Sequence, residues 1–107
     1  MKKLPLLILL ALLLPKMALA QTQAPFVQII YPYEGQRIAD VPQTFIFGNV
    51  SPARGTLTIN GEATRIYPNG SFLSFLPVSE GDFTFNLEFT PDPAQPPMVF
   101  KRSIKVG

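Results

Sequence analysis

Residues 82–90 read DFTFNLEFT, and this stretch decides the fold. Aromatic and aliphatic side chains alternate with polar ones through the whole segment, which is the period-2 pattern of a β-strand. We therefore expect one face of this strand to be buried and the other to be wet, as in an antiparallel sheet. The positions predicted to face the core are Phe83, Phe85, Leu87 and Phe89, and those predicted to face water are Thr84, Asn86 and Glu88.

The segments on either side of this strand also predict strands. Residues 56–67 alternate around Asn60-Gly61, whose tolerance of positive φ predicts a type I′ hairpin turn. Residues 98–106 predict the last strand, but Arg102 shares the parity of its apolar residues. Because an unpaired charge should not be buried, we expect either a bulge at Arg102 or a rim position from which its guanidinium reaches water.

The remaining apolar segments are short and separated by turn residues. Strands are predicted at 26–31 (FVQIIY), weakly at 36–38, at 44–48 with Phe45 and Phe47 on one face, and at 71–76, which is apolar on both parities. Residues 49–55 and the proline-rich residues 91–97 are predicted loops. About seven short strands and no helix indicate an all-β, antiparallel β-sandwich over residues 26–107. Its phenylalanines are predicted to form the core.

The N-terminus predicts export. Residues 1–20 combine an N-terminal pair of lysines, an apolar run and an Ala18-Leu19-Ala20 cleavage site, the pattern of a cleavable signal peptide. The apolar run is too short for a membrane-spanning helix. Residues 21–25 form a polar lead-in that we expect to be flexible. The protein is thus predicted to be periplasmic or extracellular, and the absence of cysteine from an exported chain favours a bacterial origin.

Cleavage after Ala20 would make the mature chain nearly neutral. The leader contains Lys2, Lys3 and Lys16, so removing it leaves six cationic residues against seven carboxylates, a net charge of −1. The basic isoelectric point of the whole chain therefore belongs to the leader. This balance gives no support for binding to nucleic acid, or to a membrane after cleavage.

The sequence lacks the side chains that most enzymes and metal sites use. It contains no histidine and no cysteine, so it offers no histidine base, no thiolate nucleophile and no usual zinc ligand set. We predict no catalytic, cofactor-binding or metal-binding residue. Glu80, Asp82 and Asp92 leave a paired-carboxylate mechanism formally open, although Glu80 and Asp82 are better explained as part of a solvated turn.

Three tyrosines are the candidate ligand contacts. Tyr31, Tyr33 and Tyr67 lie at predicted strand ends or turns, where their rings could stack on sugar rings or line a protein-binding groove. The alternative is that they cap the ends of the core and leave their hydroxyl groups in water.

Four motifs in order resemble the bacterial immunoglobulin-like accessory domains related to domain B of glucodextranase. The hairpin and the turns around it match in order and spacing over almost the whole mature chain, with departures at Asp82-Phe83 and Arg102. Residues 67–78 also resemble the leading module of some N-acetylmuramoyl-L-alanine amidases. The matching segments are residues 27–35, 57–61, 68–72 and 76–83.

The resemblance implies an immunoglobulin-like sandwich and a non-catalytic role. Such domains accompany catalytic modules in exported glycan-active enzymes, and no catalytic residue transfers because zinc amidases need histidine ligands. We therefore expect an exported accessory or spacer module whose partner is a cell-wall glycan, an envelope protein or a downstream catalytic domain. The last predicted strand ends at the C-terminus, which favours the leading domain of a longer cell-wall amidase. The alternative is a free-standing envelope protein that pairs with another protein through a strand edge.

Overall fold

The computed structural model describes residues 24–107, which form eight β-strands and no helix. The all-β prediction is confirmed, with one strand more than the seven expected. The predicted signal peptide and residues 21–23 of the lead-in lie outside the described residues. The strands are β1 (Phe26–Tyr31), β2 (Gln36–Ile38), β3 (Gln43–Ser51), β4 (Thr56–Ile59), β5 (Glu62–Thr64), β6 (Ser71–Pro77), β7 (Gly81–Thr90) and β8 (Met98–Val106).

The strands form two sheets. The three-stranded sheet has the order β1-β3-β6, and the five-stranded sheet has the order β2-β8-β7-β4-β5. All neighbours are antiparallel except β2, which pairs in parallel with β8. This parallel pair differs from the expected purely antiparallel arrangement. It arises because the chain crosses to the other sheet after β1, where the N–H of Gly35 donates to the carbonyl oxygen of Ser103 at 2.7 Å.

The two sheets share one hydrophobic core, as in a β-sandwich. β7 behaves as its sequence predicts: Phe85, Leu87 and Phe89 are fully buried and Phe83 is half-buried, whereas Thr84, Asn86 and Glu88 are exposed. Burial of these large side chains provides the main driving force for folding. The buried cluster comprises Ile46, Val50, Phe72 and Leu76 from the three-stranded sheet and Leu57, Ile59, Phe85, Leu87, Phe89, Ile104 and Val106 from the five-stranded sheet.

The predicted Asn60-Gly61 hairpin is confirmed. Both residues have positive φ, 52° and 81° respectively, as a type I′ turn requires. The turn is also tied to the neighbouring strand, because Asn60 and Asn86 exchange two hydrogen bonds, of 2.8 and 2.9 Å. The second strand ends at Thr64, earlier than expected. The chain turns away there, and the N–H of Tyr67 donates to the carbonyl oxygen of Ser71 instead of to β4.

The predicted loop over residues 49–55 begins later than its composition indicated. Residues 49–51 belong to β3, because β1 pairs with all three of them and β6 pairs with the first. Asn49 pairs with both Gln28 and Ser71, so its place in a sheet is set by neighbouring strands that its local sequence does not reveal.

Arg102 lies in a regular stretch of β8, so the expected bulge is wrong. It pairs directly with the buried Phe85, and the register is unbroken on both sides. The alternative expectation, a rim position, is closer to the structure. The side chain is 21% exposed, and its Nη1 donates to the carbonyl oxygen of Pro32 at 2.9 Å.

Candidate functional site

The outer face of the three-stranded sheet is apolar and exposed. In β3 the even-numbered residues from Thr44 to Val50 are buried, so the odd-numbered ones point away from the core. Phe45 and Phe47 share this outer face and are 49% and 37% exposed. They do lie on one face, as predicted, but it is the face that points away from the core.

Neighbouring strands extend this apolar surface on both sides of β3. Phe75 of β6 lies opposite Phe45 with ring centroids 4.6 Å apart, and Leu73 lies opposite Phe47. On the other side, the ring of Tyr31 stacks on Phe47 at 5.6 Å with an interplanar angle of 14°. We call Tyr31, Phe45, Phe47, Leu73 and Phe75 the aromatic face. A contiguous exposed patch of this kind is typical of a binding surface.

The prediction that the phenylalanines form the core is therefore wrong for three of them. Phe45, Phe47 and Phe75 lie outside the core, whereas Phe72, Phe85 and Phe89 are buried. β6 shows the reason: Phe72 and Leu76 fill its inner face, and no element among residues 24–107 covers its outer face. β6 is thus apolar on both faces, although within residues 24–107 only its inner face is covered.

A groove of about 950 Å³ continues the aromatic face toward the end of the sheet where β6 begins. The segment before β6 forms one wall and the outer surface of β3 forms the floor. The groove is lined by Ile30, Phe47, Gly48, Asn49, Val50, Ser51, Ala53, Tyr67, Pro68, Asn69, Ser71, Phe72 and Leu73.

Tyr67 forms an ordered aromatic wall of the groove. Its backbone N–H donates to the carbonyl oxygen of Ser71, and its carbonyl oxygen accepts from the N–H of Gly70 at 2.8 Å. The guanidinium carbon of Arg65 lies 4.8 Å from the centre of the Tyr67 ring, which is cation–π geometry. Tyr67 is 41% exposed, so a ligand can reach its ring.

The polar groups of the groove are amides and hydroxyls in fixed positions. Asn69 accepts hydrogen bonds through Oδ1 from the backbone N–H and the hydroxyl of Ser71, at 3.0 and 2.7 Å. Nδ2 of Asn69 takes part in neither of these hydrogen bonds. Asn49 is held by Gln28, since its Nδ2 donates to Gln28 Oε1 at 3.2 Å. Among residues 24–107 no group donates a hydrogen bond to Oδ1 of Asn49, whereas Gln28 does not line the groove.

The structure separates the three tyrosines that the sequence singled out. Tyr31 belongs to the aromatic face and Tyr67 to the groove beside it, and Phe47 contributes to both. Tyr33 is 68% exposed in the turn between β1 and β2 and contributes to neither. Sequence reasoning missed Phe45, Phe47, Leu73 and Phe75. The double-parity apolar pattern of residues 71–76 was the signal that could have indicated them.

The three acidic residues considered for catalysis do not form one cluster. Glu80 and Asp82 are exposed at the start of β7, and Asp82 lies 3.8 Å from Lys105 in an exposed ion pair. Asp92 follows the other end of β7, a whole strand away. Within residues 24–107 no cluster of three or more acidic side chains could hold a metal ion. That part of the chain also contains no helix able to cross a membrane.

Comparison of the sequence with protein-family models and with curated proteins gives no match. The aromatic face and the groove are therefore the features that bear on what this protein binds.

Proposed function

We propose that this protein is an exported, non-catalytic, immunoglobulin-like accessory module that acts on the cell wall or on glycans by binding. The strand order supports the immunoglobulin-like assignment. β1, β3 and β6 occupy the places of strands A, B and E, and β4, β7 and β8 occupy those of C, F and G in the facing sheet. β5 then extends the second sheet beside strand C.

The exposed aromatic face is the observation that most supports a binding role. A sandwich that served only as a spacer would need polar side chains on its outer sheet faces, as β7 has at Thr84, Asn86 and Glu88. Phe45 and Phe75 instead expose about half of their surfaces to water. Such exposure disfavours the isolated domain in solution and is relieved when a partner covers the face.

A non-catalytic role is consistent with the side chains available. The chain has neither histidine nor cysteine, and Asp92 lies at the opposite end of β7 from Glu80 and Asp82. The signal-peptide pattern of residues 1–20 supports export to the periplasm or beyond, where the cell wall is accessible.

The test combines processing and binding. The 107-residue chain is expressed in a bacterium, and the mass of the exported product is measured, with loss of residues 1–20 expected. The product is then sedimented with purified peptidoglycan and with washed cell envelopes. We expect retention that falls in the double variant Phe45→Ser/Phe75→Ser. Val99→Ser is the matched control, because Val99 is also exposed but lies on the five-stranded sheet. An unprocessed chain, or one that binds neither material, would contradict the proposal.

A second candidate function is protein pairing through a strand edge. β1 and β6 each have only one neighbour in the three-stranded sheet, so each offers backbone groups for an added strand. A mass that rises with concentration, or co-purification with one envelope protein and no glycan, would favour this candidate.

A further inference from the structure

We infer that the groove beside Tyr67 binds an uncharged saccharide. This inference deepens the proposed accessory role, since it names the ligand class and the site. It is argued from the charge of the groove, its fixed aromatic wall, its amide groups and the pairing of its floor.

The lining of the groove is neutral. None of its thirteen lining residues is Asp, Glu, Lys or Arg. Arg65 is not among the lining residues, although its guanidinium carbon lies 4.8 Å from the centre of the Tyr67 ring. A phosphate, a carboxylate or a cation would lose hydration here without meeting an opposite charge among the lining residues. The groove therefore matches a ligand that has polar groups but no charge.

The wall of the groove suits the apolar side of a sugar ring. Two hydrogen bonds fix the backbone of Tyr67, and the guanidinium of Arg65 lies over its ring, so part of the ordering needed for a ligand to stack is already present. Phe47 contributes a second aromatic ring from β3. A pyranose presents a patch of C–H groups on one side and hydroxyl groups around its rim, and it can therefore use such a wall and a polar floor together.

The floor supplies the complementary hydrogen-bonding groups. Asn69 has Oδ1 occupied by Ser71, so Nδ2 is the group it can offer to a ligand hydroxyl. Asn49 donates through Nδ2 to Gln28, so Oδ1 is the acceptor it can offer to a ligand. Sugar hydroxyls both donate and accept, so they can satisfy both groups at once.

An extended peptide fits this groove less well than a saccharide. A peptide that adds to a sheet gains affinity from an unpaired strand edge. The floor here is the central strand β3, whose backbone pairs with β1 on one side and β6 on the other. Over residues 47–49 the floor therefore presents side chains, and no open strand edge, to a ligand.

The test is a titration of the purified protein, expressed from the whole 107-residue chain, with three uncharged tetrasaccharides. These are β-1,4-linked glucose, α-1,4-linked glucose and β-1,4-linked N-acetylglucosamine. Amide NMR shifts are followed during each titration. We expect saturable shifts from at least one saccharide, concentrated in residues 47–51 and 67–73. An uncharged Gly-Ser tetrapeptide is titrated in parallel.

Tyr67→Ala removes the aromatic wall and should weaken binding about tenfold, whereas Tyr67→Phe should retain most of the affinity. Tyr33→Ala and Val99→Ser are the controls, because both residues are exposed and neither lines the groove. The thermal midpoint of each variant is measured, so a folding defect is recognised. Should Tyr67→Ala unfold the domain, Asn69→Asp provides a second test, because a charge in the neutral groove should weaken binding.

The outcomes separate this inference from the proposed function. Saccharide shifts at the groove that depend on Tyr67 support it, even if sedimentation with cell walls fails. Retention on cell walls without any saccharide shift overturns the inference and leaves the accessory role standing. Shifts caused by the tetrapeptide alone, or saccharide shifts that map outside the groove and persist in Tyr67→Ala, also overturn it.

Discussion

Arg102 donates a hydrogen bond from Nη1 to the carbonyl oxygen of Pro32, 70 positions earlier in the chain, at 2.9 Å. Glu34 completes the contact: its Oε1 lies 3.7 Å from Nε of Arg102 and accepts the backbone N–H of Ser103 at 3.1 Å. A charged residue on the core side of β8 is thus tolerated because its head group reaches the turn after β1. The same contact fastens that turn to the opposite sheet.

The first prediction concerns Arg102→Met, which keeps an unbranched apolar stem but removes the donor. We expect the free energy of unfolding to fall by about 1–3 kcal/mol, because the carbonyl oxygen of Pro32 loses its partner. Glu34→Gln should cost less than about 1 kcal/mol, since an amide oxygen can still accept from Ser103. Urea unfolding measures both. Lys101→Met is the exposed control, and equal effects at positions 101 and 102 would contradict the prediction.

The second prediction compares two phenylalanines with different surroundings. Phe85 is fully buried and Phe75 is half exposed. Phe85→Ala should therefore lower the free energy of unfolding by about 3–5 kcal/mol, the usual cost of a large cavity in a core. Phe75→Ala should cost about 1 kcal/mol or less, because it loses mainly its contact with Phe45. Chemical denaturation of both variants is the measurement, and similar losses would mean that Phe75 belongs to the core.

The elements that could be predicted from the sequence are those whose pattern is local. β1 and β8 have the predicted bounds, β7 differs by one residue, and the Asn60-Gly61 turn is as expected. Alternation and turn residues suffice for these because each depends on neighbours in the sequence. The sheet order, the parallel β2–β8 pair and the strand character of residues 49–51 depend on distant strands.

The candidate site could be predicted only in part. The sequence indicates Tyr31 and Tyr67 as candidate ligand contacts at strand ends or turns. Tyr31 contributes to the aromatic face and Tyr67 to the groove. Phe45 and Phe75 were assigned to the core because hydrophobicity says that a residue prefers burial, but not which sheet face is covered. That choice follows from Ile46 and Phe72, which occupy the inner positions beside them.

The third prediction separates two roles of Asn60. This residue has φ of 52°, and its Oδ1 accepts the N–H of Asn86 at 2.8 Å. Asn60→Gly keeps the backbone conformation and loses only the side-chain bond, so we expect a loss of about 1 kcal/mol. Asn60→Ala also strains the turn and should cost about 1 kcal/mol more. Thermal unfolding monitored by circular dichroism gives the order, and a more stable Asn60→Ala variant would contradict it.

The fourth prediction concerns close approach of two strands at Gly48. A Cβ atom at this position would overlap the carbonyl oxygen of Gln28 on β1. Gly48→Ala should therefore separate β1 from β3 and lower stability by more than about 3 kcal/mol. Gly35→Ala is the control: its φ is +74° but its Cβ would meet nothing within 4 Å, so only about 1 kcal/mol of backbone strain is expected. Equal losses in urea unfolding would contradict the prediction.

The fifth prediction tests whether the aromatic face is a binding surface that makes the isolated domain self-associate. Phe45 and Phe75 pair across two strands and are exposed together, so the double variant Phe45→Ser/Phe75→Ser should bind less of a hydrophobic dye and self-associate less. Its free energy of unfolding should fall by no more than about 1–2 kcal/mol, since neither ring fills the core. Dye fluorescence and sedimentation velocity measure the first effect, and urea unfolding measures the second.

Val99→Ser on the other sheet should change neither dye binding nor association. If the double variant instead unfolds like Phe85→Ala, or binds the dye as well as the parent, the exposed rings are a structural layer and not a docking surface.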